Sequence, residues 1–167
     1  MRQVAERLQI IAEEGGAVDD VNAFTRSAFN RYYYCVYLLV HGTLREKNPG
    51  WSKVAHKSMP VVLKGEVLKE IKSIIRAQEK SSVLAHGNAE ALRHKAISVT
   101  GELSDLLTEA YAIRCSADYE PETPVSGAGG SLALAGKKLS VASTWPRRAE
   151  MAVGHLKGIW RELGVPV

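Results

Sequence analysis

The chain has 167 residues, of which 46% are hydrophobic and 24% are charged, and its formal net charge at pH 7 is +4. This length and composition predict a single soluble domain, residues 1–167, that is large enough to bury a core. The longest apolar run, residues 35–40, is far shorter than the roughly 20 residues that a membrane span needs. The charged N-terminal segment also lacks the apolar stretch of a signal peptide. We therefore expect a cytoplasmic protein with no membrane contact.

Helical periodicity dominates the sequence, and strand signals are almost absent. An N-terminal helix is predicted within residues 1–16 and ends at Gly15 and Gly16. A long second helix should run to about Arg45, before the breaker Asn48-Pro49-Gly50. The other predicted helices are a short one that starts at residue 52 and is interrupted at residue 60, then residues 66–85, 89–117 and 139–163.

One segment departs from this pattern. Residues 121–138 are rich in Gly, Pro, Ser and Ala, and we predict that they form a flexible surface loop within the domain. With no internal repeat and no linker, the expected fold is all-α, an up-and-down bundle of about four to five main helices.

Two short segments place arginines beside tyrosines in helices that should otherwise be apolar. In SAFNRYYYCVYLL, Arg31 precedes Tyr33 and Tyr34, and in RCSADYEPE, Arg114 precedes Asp118 and Tyr119. A buried arginine is costly unless its donors are satisfied. If the two helices pack together, the clusters could satisfy each other or could form a polar pocket, and the sequence leaves both interpretations open.

Basic residues are concentrated in residues 41–80, which hold nine Lys or Arg against four Glu. Lys53 and Lys57 flank His56 in this stretch. Such a basic face is compatible with a nucleic-acid backbone. The alternative is an ordinary solvated helix surface with ion pairs between neighbouring turns.

The two polar segments together resemble the HEPN superfamily of small helical domains. Residues 30–34, Asn-Arg-Tyr-Tyr-Tyr, are similar to its Arg-Tyr-Tyr element, and residues 114–121 are similar to its Arg-then-Ala-Asp-Tyr element. The resemblance covers residues 18–163. It implies ribonuclease activity, or RNA or nucleotide binding without cleavage, in a homodimer. It also implies membership of a toxin–antitoxin, defence or CRISPR-linked system, with a partner protein encoded nearby.

Active members of this superfamily resemble one another in a metal-independent pattern, an arginine followed four to six residues later by a histidine. The arginine holds the scissile phosphate, and the histidine moves a proton. Here Arg114 has Asp118 and Tyr119 at those positions, and a phenol is a poor base at neutral pH. A relocated histidine would have to replace it, and His56 is the best candidate.

Three functions therefore remain open: an RNA- or nucleotide-binding module with a degenerate catalytic motif, a metal-independent endoribonuclease, and a helical oligomerising adaptor of a partner enzyme. We also expect a homodimer, because Trp145 and Trp160 are predicted near the periphery of the last helix. No cofactor and no metal site are predicted. The candidate catalytic residues are Arg114, Tyr119 and His56, and the candidate binding residues are Arg31, Tyr33, Tyr34, Asp118, Lys53 and Lys57.

Overall fold

A computed structural model describes residues 1–166. About 80% of the chain is helical, which confirms the all-α class. Among the described residues, no helix combines the length and the apolar character that crossing a membrane requires. In chain order the helices are α1 (Arg2–Glu14), α2 (Val18–Lys47), α3 (Met59–Val62), α4 (Leu68–Lys80), α5 (His86–Tyr119), α6 (Leu139–Ala142) and α7 (Trp145–Glu162).

The first two helix boundaries follow the signals in the sequence. Helix α1 ends at Glu14, and Gly15 and Gly16 follow with φ of 85° and 142°, in the region that favours glycine. At the far end of α2, the side chain of Asn48 accepts a hydrogen bond of 2.9 Å from the backbone N–H of Gly50. This contact caps a short 3₁₀ turn, so the predicted breaker does stop the helix.

The prediction is less accurate between α2 and α5. Pro60 does not interrupt a helix; it lies in the first turn of α3, where its missing N–H costs nothing. A π-helical turn, Leu63–Val67, then leads directly into α4. The break predicted around residues 86–88 is also wrong, because His86 is the first residue of α5.

Residues 121–138 contain strands that the sequence analysis did not predict. Three short antiparallel strands pair in the order β1 (Val125–Ser126), β2 (Ala133–Leu134) and β3 (Lys137–Lys138). Leu134 is fully buried, and it anchors the small sheet. At Gly127, φ is 82°, and an added Cβ would lie 2.5 Å from the carbonyl oxygen of Ser131, so only glycine fits this turn. The flexibility of the segment stays a prediction.

The chain forms two compact units, and the first consists of Met1–Leu38 with Leu107–Arg148. In its core the rings of Phe29 and Trp145 lie 6.3 Å apart, centroid to centroid. The indole N–H of Trp145 donates a hydrogen bond of 3.0 Å to Glu109, whose carboxylate also pairs with Lys137 at 3.1 Å. The buried tryptophan therefore has its polar atom satisfied.

The second unit consists of Leu39–Leu106 with the residues from Ala149 onward. Ile71 and Ile75 of α4 are fully buried in it, as is Trp160 of α7. Since Trp145 of the first unit and Trp160 of the second are both 0% exposed, their predicted placement at the periphery is wrong. The tryptophans therefore give no support to the predicted homodimer.

Candidate functional site

In the first unit, a side chain of α2 holds the C-terminal end of α5. The last turn of α5 contains no basic residue of its own to bind its terminal carbonyls. The guanidinium of Arg26 supplies the missing donors, and its Nε–H also donates to Asn22 at 2.7 Å. Its acceptors at the helix end are the backbone carbonyls of Ser116 (2.9 Å), Ala117 (3.2 Å), Glu120 (3.2 Å), Pro121 (3.2 Å) and Thr123.

Arg26 is a functional residue for the fold that the sequence analysis missed. Its partners at the end of α5 lie 90 to 97 positions away, and they are backbone carbonyls, which do not depend on residue type. The signal in the sequence is that the last turn of α5 has no basic residue, so its terminal carbonyls depend on water or on donors from elsewhere in the chain.

A carboxylate joins the same two helices one turn further along α2. Oδ1 of Asp118 accepts a hydrogen bond of 2.6 Å from the amide of Asn30, and Oδ2 lies 2.8 Å from Nε of Arg114. These contacts confirm that the helices carrying Arg31 and Arg114 pack together. The Nε–H is buried and does not point along its contact with Asp118, so the pair is held by charge more than by a directed hydrogen bond.

Arg114 is mostly enclosed by protein. Its side chain is 15% exposed, and its guanidinium carbon lies 4.9 Å from the centre of the Tyr119 ring. Burial alone would lower the pKa of Arg114, but a hydrogen bond to Tyr119 and the charge of Asp118 raise it above its ordinary value. Arg114 therefore stays charged, and its guanidinium interacts with Asp118 and Tyr119 inside the protein.

The tyrosines of α2 divide between core and surface. Tyr33 is 0% exposed, and its ring contacts Tyr34 (5.3 Å between centroids), Tyr37 (6.0 Å) and Tyr111 (6.0 Å). Burial and the nearby Tyr37 raise the pKa of Tyr33. In this conformation Tyr33 cannot touch a ligand, whereas Tyr34 is half-buried and reaches a pocket.

A polar pocket of about 350 Å³ opens beside this cluster. Arg31 lies on its wall and is exposed, so the expectation that Arg31 needs partners in the core is wrong. Among residues 1–166, the Arg31 guanidinium makes no hydrogen bond and no ion pair. The lining residues are Arg26, Ser27, Asn30, Arg31, Tyr34, Ala117 and Asp118.

The other predicted site residues belong to the second unit. His56 is half-buried in a 3₁₀ turn, and Lys53 and Lys57 on either side of it are exposed. The first unit, which contains Arg114 and Tyr119, includes no histidine in the part of the chain that the structure describes. All five histidines belong to the second unit: His41, His56, His86, His94 and His155.

No described group of three or more His, Cys, Asp or Glu side chains is placed to hold a metal ion. Comparisons of the chain with protein-family models, with curated proteins and with solved structures found no match. The resemblance to the HEPN superfamily therefore stays a prediction from the two sequence motifs.

Proposed function

We propose that the chain is a HEPN-like module that binds RNA or a nucleotide, with a phosphate held in the polar pocket of the first unit. The observation that carries this proposal is the exposed guanidinium of Arg31, whose donors have no partner among the described residues. A guanidinium binds phosphate oxygens in a bidentate manner. The half-buried ring of Tyr34 on the same wall offers a surface on which a base can stack.

The charge of the pocket supports an anionic ligand. Arg26 and Arg31 each bring a positive charge to its wall, and Asp118 brings the only formal negative charge among the lining residues. That carboxylate is already compensated by Arg114 at 2.8 Å and by the amide of Asn30. A phosphate in the pocket would therefore meet net positive charge.

Binding without cleavage is the function that we favour. Metal-free cleavage of RNA needs a group that takes a proton near neutral pH, and histidine is the side chain suited to this. The described part of the first unit contributes arginines, tyrosines and a carboxylate, but no histidine. The Arg114 side chain is also only 15% exposed and is paired with Asp118 and Tyr119, so a scissile phosphate would have little access to it.

A titration of labelled oligouridine and of AMP, followed by fluorescence anisotropy and calorimetry, tests the pocket. We expect Arg31→Gln to weaken the binding of both ligands on the order of tenfold, because it removes charge-assisted hydrogen bonds. Arg7→Gln is the matched control, since Arg7 is an exposed cation of α1 that lies outside the pocket. Equal affinities for the two variants would contradict the pocket assignment.

Metal-independent endoribonuclease activity is the second candidate, with His56 as the base. The exposed lysines on both sides of His56 favour it, because they would draw RNA to the imidazole. Incubation of the protein with labelled RNA in EDTA tests this candidate. Cleavage that disappears in His56→Ala but persists in His94→Ala, an exposed control, would make the endoribonuclease the correct function.

Failure to bind RNA or nucleotide even at low salt would leave the third interpretation, a helical adaptor. A homodimer and a partner protein encoded nearby, in a toxin–antitoxin, defence or CRISPR-linked system, are proposals that rest on the resemblance. The homodimer and the partner protein do not depend on ligand binding in the pocket, because an adaptor binds other proteins through its outer surface.

A further inference from the structure

We infer that helix α4 carries a second RNA contact, a basic stripe that binds the phosphate backbone without regard to base sequence. This inference rests on the proposed RNA-binding function and adds a surface in the second unit to the pocket of the first. The basic stripe consists of four exposed residues of α4: Lys69, Lys72, Arg76 and Lys80.

The spacing of these residues puts them on one face of the helix. Steps of three, four and four positions return to the same side, because an α-helix turns once every 3.6 residues or so. The face opposite is the one that Ile71 and Ile75 bury in the core of the second unit. From Lys69 to Lys80 the stripe is about 16 Å long, at about 1.5 Å per residue, which is enough to reach several consecutive phosphates.

The acidic residues of α4 do not neutralise the stripe. Glu70 pairs with Lys47 at 3.3 Å. Glu79 pairs with His86 at 2.6 Å and with Arg93. Hydrogen bonds from His86 and Arg93 lower the pKa of Glu79 and keep its carboxylate ionised.

Glu66, in the π-helical turn that leads into α4, accepts a hydrogen bond of 3.0 Å from the indole of Trp51. The two exposed residues between the cations, Ser73 and Ala77, carry no charge. No ion pair among residues 1–166 involves a stripe residue, so the stripe presents four uncompensated positive charges to solvent.

A linear polyanion suits this surface better than a membrane does. A helix that binds a membrane inserts an apolar face, but the apolar face of α4 is occupied by the core of its own unit. Regularly spaced cations on a rigid helix are suited to a repeating phosphate backbone. Oligouridine is therefore the appropriate probe.

The test compares two double variants that remove the same charge. Lys72→Gln with Arg76→Gln removes the centre of the stripe, and Lys138→Gln with Arg161→Gln removes two exposed cations elsewhere. Affinity for oligouridine is measured over a range of salt concentrations, and AMP is titrated at one concentration. We expect the stripe variant to lower the slope of log K against log salt by about 1.4, or 0.7 per phosphate contact on a single strand. The control should retain the slope, and both variants should bind AMP as the unaltered protein does.

Each outcome separates the stripe from the pocket. Equal slopes for the stripe variant and the control, with oligouridine still bound, would overturn the stripe alone. If Arg31→Gln lost AMP binding while the stripe variant kept the salt slope of oligouridine binding, the result would support the pocket and overturn the stripe. No oligouridine binding by the unaltered protein would overturn the stripe, and the pocket would be overturned with it only if AMP also failed to bind. Stripe-dependent binding to phosphatidylserine vesicles without RNA binding would replace RNA by a membrane surface.

Discussion

The side-chain amide of Asn30 donates a hydrogen bond of 2.6 Å to Oδ1 of Asp118, across 88 positions of the sequence. The other carboxylate oxygen of Asp118 faces Arg114, so one carboxylate compensates a mostly buried charge and connects α2 to α5. The stability of the first unit should depend on this side chain more than on an ordinary surface acid.

Asp118→Ala should lower the free energy of unfolding by about 1–3 kcal/mol, because it leaves the enclosed guanidinium without its counter-ion. Urea titration followed by circular dichroism measures the loss. Asp105→Ala is the matched control, because Asp105 pairs with Lys64 but its own side chain is 74% exposed. Loss of this surface pair should cost about 0–1 kcal/mol. Equal midpoints for the two variants would show that Asp118 has no structural role.

Arg26→Lys should also destabilise the protein, by about 1–3 kcal/mol, although the charge is kept. An ammonium group has three donors on one atom, and it cannot reach carbonyls that are spread from Ser116 to Thr123. Hydrogen exchange of the amides in residues 116–123 should become faster in this variant. Arg31→Lys on the same helix is the control. Faster exchange of the same amides in this control would argue against a specific cap.

Lys53→Ala with Lys57→Ala tests the basic residues around His56. Both side chains are exposed, so the fold should be unaffected. If each contacts a phosphate, the salt slope of oligouridine binding should fall by about 1.4, two contacts' worth on a single strand. An unchanged slope would restrict RNA contacts in the second unit to other residues.

Tyr32 should contribute to alkaline unfolding. Burial, followed by the nearby charge of Glu6, raises its pKa to about 12 from an ordinary value of 10. Its stabilising effect is complete below pH 10 and is lost as the pH rises towards 12, because the unfolded chain releases the phenolic proton first. In Tyr32→Phe, the melting temperature should fall less steeply over this interval. An unchanged slope in Tyr32→Phe would show that Tyr32 makes no contribution to alkaline unfolding.

The predicted homodimer can be tested by light scattering at micromolar concentration. The expected mass is twice 18.2 kDa. A mass of one chain would contradict the dimer and would also exclude a catalytic site built from two copies. It would leave the pocket proposal intact, because all of its lining residues come from one chain.

Much of the fold follows from local signals in the sequence. The double glycine after α1 and the Asn-Pro-Gly breaker after α2 act through backbone conformation, which depends on residue type at one place. The three short strands were not predicted, because two-residue strands are too short to show alternation and the Gly-rich composition is typical of loops.

The candidate site was predicted in part. The motifs correctly predicted that the helices with Arg31 and Arg114 pack together, since polar residues on two apolar helices require partners, but Asn30 was not predicted as a partner of Asp118. The sequence could not show which arginine would be enclosed and which exposed. Helical spacing gives the face of one helix, but burial depends on what packs against it, and so Arg31 was expected in the core and Tyr33 at a site.

The Arg26 cap has a consequence for how the pocket would hold a ligand. The hydrogen bonds of Arg26 to the end of α5 immobilise its side chain. Its positive charge is therefore already in place at the pocket, and the side chain does not need to be ordered when an anion binds. Arg31 is exposed and unrestrained, so fixing it on a phosphate costs up to about 2 kcal/mol of side-chain entropy. Arg26 therefore attracts the anion through its fixed charge, and Arg31 makes the direct contact with the phosphate. Because that contact has an entropic cost, a single nucleotide should exchange rapidly and bind less tightly as the temperature rises.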